Sequence, residues 1–204
     1  MCGIVGYIGQ QQASPILVQG LKRLEYRGYD SAGVVVLNGE LELVKGKGKV
    51  DVLEKKLRAA SPQGTLGIGH TRWATHGEPN DVNSHPHLSQ NGRISLVHNG
   101  IIENYHALKT SLQKKGYSFQ SETDTEVVVN LIEEIYDEGA VEFEAAIQLA
   151  LQQIVGTYGL AIVNLDEPDR IYVARKGSPL LLGLGEGEMF IASDASPMIE
   201  HTSK

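Results

Sequence analysis

One cysteine, one tryptophan and three phenylalanines are all that this 204-residue chain holds of those residue types. A single thiol excludes an internal disulfide framework and suits a reducing compartment, so a cytoplasmic location is expected. No apolar run approaches the ~20 residues that span a bilayer, and no membrane partner is expected. The start, Met1 to Gly9, has neither the basic segment nor the apolar stretch of a secretory leader. Long basic tracts are missing as well. With a formal net charge of -7, the chain is not expected to bind nucleic acid, where clustered Lys and Arg must neutralise phosphates. Lys45, Lys47 and Lys49 alternate with small or apolar neighbours and read as a solvated turn. The GxxxxGK spacing of a phosphate loop is absent, and so is HExxH. Five histidines do fall between 70 and 98, but His85-Pro86-His87 is a poor pair of zinc ligands. No metal and no cofactor are expected.

The chain has enough apolar residues, 41% of the total, to build a real core as one large domain. Strands are expected over 2–8, 32–37, 40–44, 66–71 and 94–98, the last stopped by Asn99-Gly100. Four more are expected over 159–165, 170–174, 180–185 and 189–192. Helices are expected over 14–25, 50–59, 103–114 and 141–154, and one opens at the capping-box pattern Thr123 to Glu126. Residues 72–90, with prolines at 79 and 86, form a loop too long to be inert in a compact domain. Strands at both ends and helices between them suit an α+β fold with antiparallel sheets covered by helices, not a βαβ ladder.

Only Met1 stands in front of Cys2. A lone cysteine is most often a small buried apolar residue. Removal of Met1, however, would put a thiol and a free α-amine on one residue. An amine with a pKa of roughly 7.7–8.0 is partly neutral near pH 7–8 and can take the thiol proton. Attack on an amide further needs oxyanion donors and groups that position the substrate. Asn99 and the Gly100 N–H are candidate donors, although the dipeptide alone reads more readily as a turn. Arg72 can grip a carboxylate with two parallel hydrogen bonds, or form an ordinary surface salt bridge. Asp124 can pair with an ammonium, or simply favour a helix N-terminus. Together, Arg72 and Asp124 would suit a free α-amino acid. Trp73 in a polar loop can act as a lid, and Thr75 and His76 add polar contacts.

Five segments now stand together: Cys2 to Gly6, Leu24 to Gly33, His70 to Gly77, His98 to Asn104, and Ser121 to Glu126. Together they resemble the class II glutamine amidotransferases over essentially the whole chain. The wording of Arg27 to Gly33 and Arg72 to His76 is closest to the amino-sugar branch of that family. The resemblance implies the N-terminal-nucleophile hydrolase fold, a four-layer αββα sandwich. It also implies a role at each matching position. Cys2 is the nucleophile, with its own amine as base. Asn99 and Gly100 form the oxyanion hole. Arg72 and Asp124 hold the glutamine α-carboxylate and α-ammonium. Thr75 and His76 line the pocket, Trp73 gates it, and Arg27 supports the nucleophile. The implied partners are L-glutamine and a C-terminal sugar-phosphate isomerase domain holding fructose 6-phosphate, in a homodimer at full length. On this reading residues 1–204 are one glutaminase domain, shortened at its C-terminus and lacking the isomerase domain. Two other readings stay open: the same fold feeding a different acceptor, and a non-catalytic glutamine-binding module that keeps Met1.

Overall fold

The computed structural model describes residues 2–139 and 141–204. Every strand pair within its sheets is antiparallel. The first sheet contains β1 (Gly3–Ile8), β2 (Ser31–Leu37), β3 (Leu41–Lys47), β4 (Leu66–Arg72), β9 (Leu181–Leu184) and β10 (Met189–Ala192), in the order β3-β2-β4-β1-β10-β9. The second contains β5 (His87–Leu88), β6 (Ile94–Ile102), β7 (Gly156–Asn164) and β8 (Tyr172–Lys176), in the order β5-β6-β7-β8. Helices α1 (Ala13–Leu24) and α2 (Val50–Ala60) cover the outer face of the first sheet. Helices α3 (Tyr105–Lys114), α4 (Asp124–Asp137) and α5 (Phe143–Gln153) cover that of the second. The result is the expected αββα sandwich. No helix among the described residues is long and apolar enough to cross a membrane.

Period-two alternation explains the layers. On β1, Val5 and Tyr7 turn to α1 and pack with Leu17, Leu21 and Leu24, while Ile4 turns inward. Ile4, Val35, Ile68, Val97, Ala161 and Val163 form a dry seam between the two sheets, and all six are fully buried. Leu96, Ile102, Leu160 and Ile162 turn outward onto Val127, Val128, Leu131 and Ile132 of α4.

The structure corrects three expectations. Asn99-Gly100 does not stop β6, because β7 supplies partners as far as Ile102↔Gly156. Lys45 and Lys47 lie in β3, not in a solvated turn. The Lys45 ammonium donates to the carbonyls of Val82, Ser84 and Pro86 at 3.3, 2.7 and 3.2 Å. Burial pulls its pKa down to about 8, against the pull of the Glu126 and Asp81 carboxylates. The capping box is only half formed. Thr123 Oγ1 accepts from Glu126 N–H at 3.3 Å, but the Glu126 carboxylate reaches back to the N–H groups of Gln120 and Ser121. Within the long loop, the two-residue β5 is too short to leave a sequence signal.

Lys45 ties segment 82–86 across β2 and β3, and Gly33 on β2 makes room for it. A Cβ at Gly33 would lie 2.2 Å from His85 O and 2.5 Å from Lys45 Cβ. Gly33→Ala should therefore destabilise the fold by about 1–3 kcal/mol, the usual cost of overpacking. Urea unfolding measures it, and an unchanged midpoint would show that the segment yields freely.

Candidate active site

At one end of the seam the inward-facing positions turn polar. Ile68 is followed on the same face of β4 by His70 and Arg72, and Val97 by Asn99 on β6. Cys2 precedes β1, two residues from Ile4, where Gly3 pairs with Thr71. The Cys2 Sγ accepts the Trp73 N–H at 3.1 Å, and Asn99 Nδ2 donates to the Cys2 carbonyl at 3.0 Å. Burial pushes the Cys2 thiol up from its ordinary pKa; the Trp73 N–H and the Arg72 charge pull the other way.

Arg72 is buried and spends its guanidinium on carbonyls of the loop that follows, those of His76, Gly77 and Glu78. Burial lowers its pKa, and the neighbouring Cys2 and Asp124 oppose that shift. Asp124 opens α4 and is more than a helix-end charge. Its Oδ2 accepts the Ile102 N–H at 2.9 Å and lies 3.9 Å from His98 Nδ1. Gly100 has φ +126°, and a Cβ there would lie 2.2 Å from Thr157 O, so only glycine lets β6 continue past this point. Trp73 is half exposed, its ring edge-on to Tyr29. Thr75 Oγ1 is 3.4 Å from His76 Nδ1, and His76 packs edge-on to Tyr105. Arg27 is buried and donates to Ser193 O at 3.1 Å; Ser193 Oγ in turn accepts the Ile4 N–H at 2.9 Å. Arg27 thus braces the entry to β1.

All nine candidate residues meet around two adjoining cavities. The smaller, about 20 Å³, is lined by Cys2, Arg72, Trp73, Thr75, His76, Gly100 and Asp124 among others. The larger, about 320 Å³, brings in Arg27 and Asn99 and shares Cys2, Trp73, Thr75 and Gly100.

Sequence reasoning missed the supporting shell. His85, His98, Thr123 and Thr125 also line the smaller cavity. Thr125 Oγ1 lies 2.7 Å from His85 Nε2 and 3.2 Å from His98 Nδ1. His70 stacks on His85 at 4.3 Å. Asp30 Oδ2 accepts the Ala74 N–H at 2.9 Å and anchors the Trp73 loop. The clustering of histidines was visible in the sequence. Its meaning is burial: desolvation holds His70, His85, His87 and His98 below the ordinary imidazole pKa, and therefore neutral. Among the described residues, no group of three or more His, Cys, Asp or Glu side chains is placed to hold a metal ion.

Residues 70–200 match a family model described as a glutamine amidotransferase domain. The glutamine–fructose-6-phosphate aminotransferase (isomerizing) of Chlorobaculum tepidum is 56% identical over 208 residues, covering 100% of this chain and 34% of its own length. The protein of the same name from Thermococcus kodakarensis is 58% identical over 205 residues, with the same coverage. The chain thus spans about a third of the length of these curated relatives. Among solved structures, glutamine phosphoribosylpyrophosphate amidotransferase from B. subtilis, in complex with ADP and GMP, is 30% identical with a TM-score of 0.85. That match covers 98% of this chain and 44% of the other.

Cys2 is half-buried, and a thiol whose pKa is raised has little thiolate at neutral pH. Iodoacetamide should therefore alkylate Cys2 severalfold more slowly at pH 7 than a cysteine in a short peptide. The rate should climb as pH rises past the ordinary thiol range. Peptide mass spectrometry follows it, and labelling faster than the peptide at pH 7 would contradict the burial argument.

Proposed function

The chain belongs to the glutamine amidotransferase domain family, and we propose that it hydrolyses the side-chain amide of L-glutamine with the Cys2 sulfur as nucleophile. The observation that carries this reading is convergence. One thiol shares its two cavities with Asn99 and Gly100, a pair of candidate oxyanion donors, and with the opposite charges of Arg72 and Asp124.

The reaction runs in two halves. The sulfur attacks the amide carbon while the α-amine of Cys2, freed by loss of Met1, takes the thiol proton. Met1 lies outside the described residues. The Asn99 side-chain amide and the Gly100 N–H receive the developing oxyanion. The aminium returns its proton to the departing nitrogen, ammonia leaves, and a γ-glutamyl thioester remains. Water then cleaves the thioester, releasing glutamate and restoring the thiol. A thiol whose pKa burial raises needs such a base, and loss of Met1 supplies an amine on the same residue. Arg72 binds the substrate α-carboxylate and Asp124 its α-ammonium. Thr75 and His76 line the pocket, Trp73 gates it, and Arg27 holds the nucleophile end of β1.

Residues 1–204 then form one glutaminase domain of a longer cytoplasmic enzyme of the amino-sugar branch. In that enzyme the ammonia passes to a C-terminal isomerase domain of the same polypeptide, where it is added to fructose 6-phosphate, and the full-length protein is a homodimer. Names of relatives 56% and 58% identical support this acceptor over others.

Glutamate release by the chain with Met1 removed tests the reading. Cys2→Ala should abolish it, and equal rates for the two proteins would end the proposal. Activity should fall as pH drops below roughly 7.7, where the base becomes protonated. A flat profile to pH 6 would exclude the amine. Arg72→Ala should lower kcat/KM for glutamine by about 10²-fold or more, as truncating one partner of a buried charge pair does. It should cost far less with a glutamine analogue lacking the α-carboxylate, and equal losses would remove the clamp.

A further inference from the structure

We propose that His70 is a positioning residue for the oxyanion hole, locking the Asn99 side-chain amide with its N–H groups toward the reacting centre. This inference rests on the reading of Asn99 as an oxyanion donor.

The hydrogen bonds fix the assignment from both ends. Asn99 Nδ2 lies 3.0 Å from the Cys2 carbonyl, which can only accept. Asn99 Oδ1 therefore points the other way, to His70 Nε2 at 3.0 Å. His70 Nε2 also lies 3.0 Å from the His98 carbonyl, a second acceptor. One ring nitrogen facing two acceptors must carry the proton. Rotating the amide by half a turn would set Oδ1 against the Cys2 carbonyl and Nδ2 against the Nε2 proton. Both contacts would be lost, at a buried site where each unmet polar group costs about 1–3 kcal/mol. The second Nδ2 proton is then left for the oxyanion.

The rest of the His70 environment holds that tautomer. The ring is fully buried and stacked on His85, and its Nδ1 has no hydrogen-bond partner. A proton on Nδ1 would be a buried donor with nothing to bond. Burial carries the His70 pKa down to about 3, so the ring keeps one proton across the working range and its role is independent of pH. His70 also sits on an interior strand, β4, with β1 and β2 paired on either side at Ile4 and Gly33. The donor that aims the amide thus comes from one sheet and the amide from the other.

The test uses the chain with Met1 removed. His70→Leu should lower kcat by about 10²-fold, the scale of losing one oxyanion donor, with KM for glutamine little changed. His70→Gln, which can place an amide N–H near Nε2, should recover much of that loss. In an Asn99→Ala background, His70→Leu should have almost no further effect. An undiminished second loss there, a rise in KM at constant kcat, or no loss at all would overturn the proposal. A readout free of catalysis keeps it decidable if the chain releases no glutamate. Two-bond ¹H–¹⁵N spectra should show His70 as the neutral Nε2–H tautomer from pH 5 to 9. His70→Leu should shift the Asn99 side-chain amide resonances. An Nδ1–H tautomer, a titrating ring or an unmoved Asn99 amide would sink the inference whatever the fate of the glutaminase reading.

Discussion

The site depends on the seam between the two sheets. Ile4, Val35, Ile68, Val97, Ala161 and Val163 make it dry, and the strands keep their alternation beyond the last apolar residue. Cys2, His70, Arg72 and Asn99 therefore face inward for the same reason that Ile4, Ile68 and Val97 do. Polar groups delivered to such a place must find partners there, because water does not reach them freely. The bond from the Asn99 amide to the Cys2 carbonyl is where that requirement joins the sheets: one strand's side chain satisfies the other's backbone at 3.0 Å. A shift of either sheet by one residue would bury the wrong set of side chains, so the packing that stabilises the fold also fixes the geometry of the site.

Electrostatics sharpen the same arrangement. Four imidazoles crowd the space between β4, β6 and α4, and desolvation keeps them uncharged. They act as shaped hydrogen-bonding groups. The charges left facing the smaller cavity are Arg72 and Asp124. In a low-dielectric setting, two opposite charges without mobile neighbours exert a stronger field than on a surface. Each is held by the backbone: Asp124 by the Ile102 N–H, and Arg72 by loop carbonyls. The pair thus presents both signs of charge to one cavity from fixed positions.

Much of this was legible in the sequence. Alternation in β1, the apolar runs of β2 and β4 and the apolar faces of α1 and α4 are local signals, and the structure has those elements within a few residues. Motif wording pointed to Cys2, Arg72, Trp73, Thr75, His76, Asn99, Gly100, Asp124 and Arg27, and all nine gather at the two cavities. What stayed hidden depended on partners far away in the chain. Asn99-Gly100 reads as a turn because nothing nearby shows that β7 will pair through Ile102. Lys45 reads as solvated because its carbonyl partners lie 37 to 41 residues on. The histidines were visible as a cluster, but only the sandwich shows that they are buried, neutral and tied to Thr125 and Asn99.

The proposed clamp on the α-carboxylate gives the loop after β4 a physical task. The cavity lined by Arg72 and Asp124 is small, about 20 Å³, and adjoins the larger one of about 320 Å³ at Cys2, Trp73, Thr75 and Gly100. Arg72 itself holds that loop, through carbonyls that are neutral acceptors. A carboxylate adds its own charge and a bidentate geometry to the hydrogen bonds of a guanidinium, which a neutral carbonyl does not. On the proposed reading, exchange of carbonyls for the substrate carboxylate would leave Arg72 fully bonded and free the loop. A ligand shifts a conformational equilibrium only by its differential affinity for the two states, and this exchange supplies such a difference at a single side chain. Asp30 would limit such a movement, since its bond to the Ala74 N–H pins the loop two residues beyond Arg72. On the proposed reading of Arg72, binding of the substrate α-carboxylate and release of the loop carbonyls would be a single exchange at one guanidinium.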